Sequence, residues 1–142
     1  MLEKVTIIGR LGKDPELRYT ASGVAVTTLD VATDRYSRKE DGPSDKATVW
    51  WKVVVWDKKA EQCKRFLSKG RQVYVEGQVK VDPQTGAPRI WTGRDGNPRT
   101  SLEMTAYRVL YLGNRNDAPG SVSAPPVETD DWEEEGEEEI PF

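Results

Sequence analysis

Apolar and polar residues alternate along most of the first 113 positions, with turn residues between the runs. Residues 4–12 read as a strand. Asp14-Pro15 turns the chain, 16–19 continues it briefly, and Ala21-Ser22-Gly23 turns it again. A second long strand is predicted over 24–33. The stretch 35–46 is polar and turn-rich around Glu40-Asp41-Gly42-Pro43, and reads as a mobile loop. Residues 47–56 form the strongest strand pattern in the chain. The period then changes. Ala60, Cys63 and Leu67 recur at helical spacing. Asp57 is placed to cap the helix, Lys64, Arg65 and Lys69 sit toward its end, and Gly70 is expected to stop it. Strand character returns over 72–81. A short strand over 89–92 lies between the turn clusters 82–88 and 94–98, and 100–112 reads as the last strand.

Strands, one helix after the third, and further strands is the order of a five-stranded Greek-key OB-fold barrel, with its short helix between strands three and four. Other small barrels fit the same order. Residues 1–113 are therefore expected to be one all-β domain.

Past Gly113 the periodicity ends. Residues 114–129 hold Pro119, Pro125, Pro126, Gly120 and two serines, the composition of a linker. Residues 130–139 are almost entirely acidic and are expected to be disordered. The chain closes on Ile140-Pro141-Phe142. This division changes the meaning of the net charge of -3: residues 114–142 carry ten acids and one base, leaving 20 bases and 14 acids before them. The body is basic, at +6, and the tail acidic, at -9.

Absences exclude whole classes of chemistry. The chain has no His and one Cys, so a His-based triad, a His-ligated zinc and an internal disulfide are all ruled out. No apolar run approaches the ~20 residues of a membrane-spanning helix. Strand pattern begins at once after Met1, without a signal peptide, so a soluble cytoplasmic protein is expected.

The third strand carries the most informative chemistry. Side chains alternate between faces. Val49, Trp51, Val53 and Val55 form a candidate buried set, with Trp51 either in the core or at a subunit contact. Trp50, Lys52, Val54 and Trp56 share the other face. Two indoles flanking an ammonium suit single-stranded nucleic acid, whose bases stack on aromatic faces while cations follow the phosphates. Packing under a loop or at a subunit contact is the alternative for either Trp alone; the pair with its interleaved Lys favours binding.

Trp91, with Arg89 and Arg94 nearby, suits an exposed clamp, or else a hairpin packed on the barrel. Tyr36, among Arg35, Arg38 and Lys39, suits a loop folding over a bound backbone as well as an ordinary solvated loop. Arg10, Lys13 and Arg18 add charge near the first turn. Phe66 and Tyr74 are expected in the core. Tyr107 and Tyr111 fall on one face of the last strand and read as core or interface, and Cys63 as a small helix-face residue.

Solubility is the commonest meaning of an acidic run. It does not account for a terminal Phe142 with a free carboxylate preceded by Glu137, Glu138 and Glu139. That combination suits docking into an apolar pocket rimmed by bases. The tail can also compete for the basic body's own groove.

The segment 4–19 (KVTIIGRLGKDPELRY) resembles the opening of the bacterial single-stranded DNA-binding protein family. Residues 50–58 with Ala60-Glu61, the passage 67–77 and the Ile140-Pro141-Phe142 terminus are similar to its third strand, helix-to-strand passage and partner-docking tip. The resemblance implies a homotetramer that wraps and protects single-stranded DNA without sequence specificity, in the cytoplasm and associated with the nucleoid. It implies no catalysis and no cofactor, and recruitment of replication, repair and recombination proteins through the tip. It places stacking aromatics at Tyr36, Trp50, Trp56 and Trp91, and basic groove positions at Arg10, Arg18, Lys52, Lys69 and Arg89. The chain departs from the pattern at Tyr36, where some relatives carry Trp, and at Trp51, often polar or His. The stretch 81–91 is also longer, with room for an added strand. Two readings compete: an OB-fold module for RNA, which oligo-U against oligo-dT separates, and a metal-dependent nuclease using tail carboxylates. The nuclease is disfavoured because magnesium needs acids held on a scaffold.

Overall fold

The computed structural model describes residues 1–113. The expected linker (114–129) and tail (130–142), including Glu137, Glu138, Glu139, Ile140, Pro141 and Phe142, lie outside the described residues.

Eight strands and one helix follow in the order β1 (Val5–Leu11), β2 (Glu16–Tyr19), β3 (Ala25–Ser37), β4 (Asp45–Trp56), α1 (Asp57–Phe66), β5 (Gln72–Val79), β6 (Ile90–Thr92), β7 (Pro98–Thr100) and β8 (Leu102–Leu112). The large sheet runs β1-β5-β8-β4-β3-β2, and β1 also pairs with β3, which closes five strands into a barrel with β2 on its flank. Only β4 and β8 run parallel. The all-β, five-stranded barrel with a helix after its third barrel strand is the fold the pattern predicts. Closure needs Gly9: a Cβ there would collide with the Ala32 carbonyl, at the point where Arg10 and Leu11 pair with Ala32 and Val31.

Inward-facing residues of each strand fill the barrel. Leu29, Val31, Val53, Val55, Val73, Val75 and Met104 are fully buried. The helix stoppers one end with Ala60 and Cys63, and the Thr27 hydroxyl donates to the Ala60 carbonyl at 2.7 Å.

Several expectations are corrected. The stretch 35–46 is not a loop throughout: β3 runs on to Ser37 and β4 begins at Asp45, leaving only 38–44 as the connection. Polar cross-strand contacts hold this arm. Asp34 accepts from Lys46 at 3.1 Å and Thr48 at 3.2 Å, and Lys39 meets Asp45 at 2.6 Å. A search for apolar alternation does not see such a ladder. Asp57 does not cap α1. It is the first helical residue, with φ 60°, and turns β4 into α1 without a loop; the N-cap position is Trp56. Gly70 does not end the helix, which stops at Phe66; its N–H donates instead to the Leu11 carbonyl at 2.8 Å. Thr100 leaves the expected last strand: residues 98–100 pair with β6 as a separate hairpin, and β8 begins at Leu102.

The aromatic assignments also change. Tyr74 lies outside the barrel with its hydroxyl on Glu76, and Tyr107 is 45% exposed. Tyr111 turns inward, 6.4 Å from the Phe66 ring, with its hydroxyl toward Cys63 Sγ at 3.8 Å. Trp51 is half-buried on the core side, its Nε1 donating to Thr33 at 3.3 Å.

Leu29 is fully enclosed. Leu29→Ala is expected to lower unfolding free energy by about 2–5 kcal/mol; a urea melt showing less than half the lower figure would contradict this core. Burial pushes the Cys63 thiol up to about 11. An unfolded thiol ionises near 8.5 (~). The folded chain thus keeps a proton that the unfolded chain releases, so this group's contribution to stability is present below that pH and is lost as pH rises toward 11. At pH 8 a thiol reagent should label Cys63 only in denaturant.

Candidate nucleic-acid interface

Residues directly opposite each other in an antiparallel pair share a face. The β3–β4 register sets Trp56 against Val26, Val54 against Thr28, Lys52 against Asp30, Trp50 against Ala32 and Lys46 against Tyr36. Val53 and Val55 point into the barrel, so Trp50, Lys52 and Trp56 must point out. Trp50 is 55% exposed and Trp56 41%. Six residues of strand separate them, about 20 Å at the usual rise. Tyr36 projects from the same face farther along the arm, with Lys46 over its ring at 6.0 Å.

Two adjoining clefts run along this face. One, of about 520 Å³, holds Trp50 and Trp51; the next, of about 650 Å³, holds Val54, and Asp30 and Lys52 border both. The register of β2 adds Arg18 opposite Val26, and Arg89 reaches the larger cleft from the chain ahead of β6. Lys13, Arg18, Lys52, Lys80 and Arg89 face Glu16, Asp30, Asp82 and Glu103 across it. The groove is therefore mixed in charge. Lys13 lies 3.0 Å from Glu16 and 3.2 Å from Asp30. Its hydrogen bond to Glu16, then that to Asp30, holds its ammonium above the ordinary lysine range, while Lys13 holds Glu16 below the usual carboxylate range. Lys46 is raised in the same way by Asp34. Such solvent-screened pairs contribute little to stability, so a polyanion can take the cation over at little cost.

Trp50 is held by an absence. A Cβ on Gly12 would run into Cζ3 and Cη2 of its indole, so the bare backbone of Gly12 forms the bed on which the ring lies. The Gly12 N–H donates to the Asp30 carbonyl at 2.9 Å and ties that bed to the groove floor.

Not every expected site residue gathers here. Trp50, Lys52, Arg18 and Arg89 line the two clefts, Trp56 continues their line, and Tyr36 shares the face. Trp91 is 45% exposed on the β6–β7 hairpin, opposite Arg99, and borders neither cleft. Arg10 and Lys69 also lie away from them. Arg10 donates to the Gly70 carbonyl at 3.1 Å, and the Lys69 N–H to Asp14 at 2.8 Å, at the turn after α1. The sequence reading missed Gly12, Lys80 and the groove acids. The polar positions Thr28 and Asp30, alternating with buried Leu29 and Val31, are the available signal for the acids. Among the described residues no group of three or more His, Cys, Asp or Glu is placed to hold a metal ion.

Known proteins share this fold. The single-strand binding protein family matches residues 2–112. The single-stranded DNA-binding protein of Xylella fastidiosa strain Temecula1 is 34% identical over 119 residues, covering 84% of this chain and 68% of the relative. That of Neisseria meningitidis serogroup B is 37% identical over 119 residues, 84% of this chain and 64% of its own. Among solved structures, the Plasmodium falciparum SSB complex with ssDNA superposes with a TM-score of 0.65 at 26% identity, covering 80% of this chain and 97% of that one. A deletion mutant of the single-stranded DNA binding protein from Thermus aquaticus gives 0.63 at 27% identity, covering 82% and 53%. With the family matched over nearly all of the described barrel, and its fold shared by these neighbours, the chain belongs to the single-strand binding protein family.

Proposed function

We propose that this chain binds and protects single-stranded DNA, without sequence preference and without catalysis, during replication, recombination and repair. The observation that carries the reading is the outward row Trp50, Lys52 and Trp56 on one open groove face. Indole faces accept any base, and the interleaved cation follows the backbone between them. Arg18 and Arg89 add cations along the groove, with Tyr36 on the arm and Trp91 on the hairpin as outer contacts. Arg10 and Lys69 act at a more distant stretch of strand.

Assembly as a homotetramer belongs to the same proposal. Across the barrel from the groove, Ile8 is 52% exposed on β1 and faces Tyr74 on β5, whose neighbour on β8 is Leu110. An apolar strip of this kind, rimmed by the Lys4–Glu76 pair at 2.8 Å, suits a second copy of the chain. Glu137, Glu138, Glu139, Ile140, Pro141 and Phe142 are the segment we assign to recruitment of replication, repair and recombination proteins, in the cytoplasm and at the nucleoid. The linker 114–129 separates this tail from the domain 1–113.

Titration with oligo-dT should quench tryptophan fluorescence steeply at low salt and less at high salt, because each neutralised phosphate releases counterions. Duplex DNA should give little response, and oligo-U a weaker one. Trp50→Ala and Trp56→Ala should each weaken oligo-dT binding by ~1–3 kcal/mol. Unchanged affinity in both variants would remove the stacking model.

Removing Phe142 should leave oligo-dT affinity intact and abolish capture of replication and repair proteins, read by pull-down. Removing residues 130–142 should tighten oligo-dT binding at low salt. Partners retained without Phe142 would place docking elsewhere, and unchanged low-salt affinity would rule out competition by the tail.

A further inference from the structure

A third cleft, of about 830 Å³, opens beyond Trp56. Trp56 forms one side and Tyr107 another, with Asp57, Lys58, Lys59 and Glu61 around them. Along the parallel β4–β8 pair, Lys52 is in register with Glu103 and Val54 with Thr105. Two residues further on each strand stand Trp56 and Tyr107, 41% and 45% exposed. Both exposed aromatic side chains therefore border the same cleft at the end of the groove.

A β-bulge puts Tyr107 there. On β8, Ala106 pairs with Gly77 and Arg108 with Glu76, which leaves Tyr107 as the extra, unpaired residue. Before the bulge Met104 and Ala106 face the core; after it Val109 and Tyr111 do. Without the extra residue, strict alternation would leave Tyr107 and Tyr111 on one face. The bulge turns Tyr111 in and leaves Tyr107 out, the re-aiming that such insertions produce beside binding sites. Lys59 Nζ donates to the Tyr107 carbonyl and fixes the bulged backbone to α1.

We infer that the single strand continues past Trp56 and stacks a further base on Tyr107, making this cleft an additional nucleotide subsite. The inference rests on the single-strand-binding reading above. The occupant is an unpaired nucleotide of the same strand: the cleft continues the line of the row Trp50, Lys52 and Trp56, and two exposed aromatic side chains line it. The charges of the cleft define its contribution. Lys58 and Lys59 are balanced by Asp57 and Glu61, so the subsite adds stacking and little counterion release.

The test uses the full chain, long oligo-dT and several salt concentrations. Tyr107→Ala should weaken binding about five- to a hundredfold with the salt slope unchanged, and Tyr107→Phe should restore it. Lys52→Ala, in the main groove, should instead lower the slope by about one. Unchanged affinity in Tyr107→Ala while Trp50→Ala weakens binding would end the path at Trp56 and overturn the inference alone. Unchanged affinity in both would overturn the single-strand reading itself. A Tyr107→Phe variant as weak as Tyr107→Ala, or a changed salt slope, would also sink the subsite. Photo-crosslinking of the unmutated chain to 5-iodouracil DNA removes any dependence on the variants folding. A crosslinked peptide containing Tyr107 supports the subsite, and crosslinks confined to Trp50, Trp56 and Trp91 refute it.

Discussion

The register of β3 against β4 is the constraint on which the rest of the molecule depends. Twelve consecutive pairs, from Val26–Trp56 to Ser37–Asp45, lock the two strands together. Because side chains alternate with period two, a slip of one residue would turn Val53 and Val55 to solvent and drive Trp50, Lys52 and Trp56 into the barrel. Leu29, Val31, Val53 and Val55, all fully buried, oppose that slip with their whole apolar area. The core thus holds the groove in place from behind. Stability and binding are two faces of one ladder.

The same ladder explains how a basic body stays ordered without its polyanion. The two strands bring Asp30 opposite Lys52 and Asp34 beside Lys46, and β2 brings Glu16 to Lys13. Lys13 and Lys46 are each ion-paired to a carboxylate on this face, a pairing worth little in net stability. A groove lined only by lysines would repel itself and spread its side chains into solvent. Here Glu16 and Asp30 hold Lys13 beside the groove, and Asp34 holds Lys46 on the arm.

Much of the fold was legible because apolar alternation and helical spacing were strong where the core is strong. β1, β2, the Val-rich half of β4, α1 and β5 follow directly from that pattern. The outward row of β4 was legible for the same reason, since knowing which residues are buried names those that are not. What failed was whatever depends on a partner strand. The arm at 34–48 is a ladder of polar pairs, invisible until Asp34 is known to face Lys46. The β6–β7 hairpin takes Thr100 out of the expected last strand and makes a strand of 98–100. The clearest failure is Tyr107: a period-two reading puts it with Tyr111, and one inserted residue, set by pairing with β5, separates them. Gly12 was likewise unreadable, because its meaning lies in an indole thirty-eight positions away.

Aromatic side chains usually dominate protein cores, because each buries a large area. In this barrel the core is Val, Leu, Ile, Ala, Cys and Met, and none of the ten aromatics of residues 1–113 is fully buried. Tyr19, Tyr36, Trp50, Trp56, Trp91 and Tyr107 are exposed, and the other four are half-buried. A small closed barrel has little interior volume, and short branched residues fill it. That leaves large rings for the outer surface, where their exposure costs solvation and must be offset by something that covers them. Tyr19 and Trp91 stand apart, but the other four exposed rings share one face. Trp50, Trp56 and Tyr107 follow one line along the β3–β4–β8 face, with Tyr36 at its arm end. Exposed π-surface arranged in a line, with Lys52 set between the rings, is matched by a linear ligand that alternates flat apolar units with negative charges, and single-stranded DNA has that form.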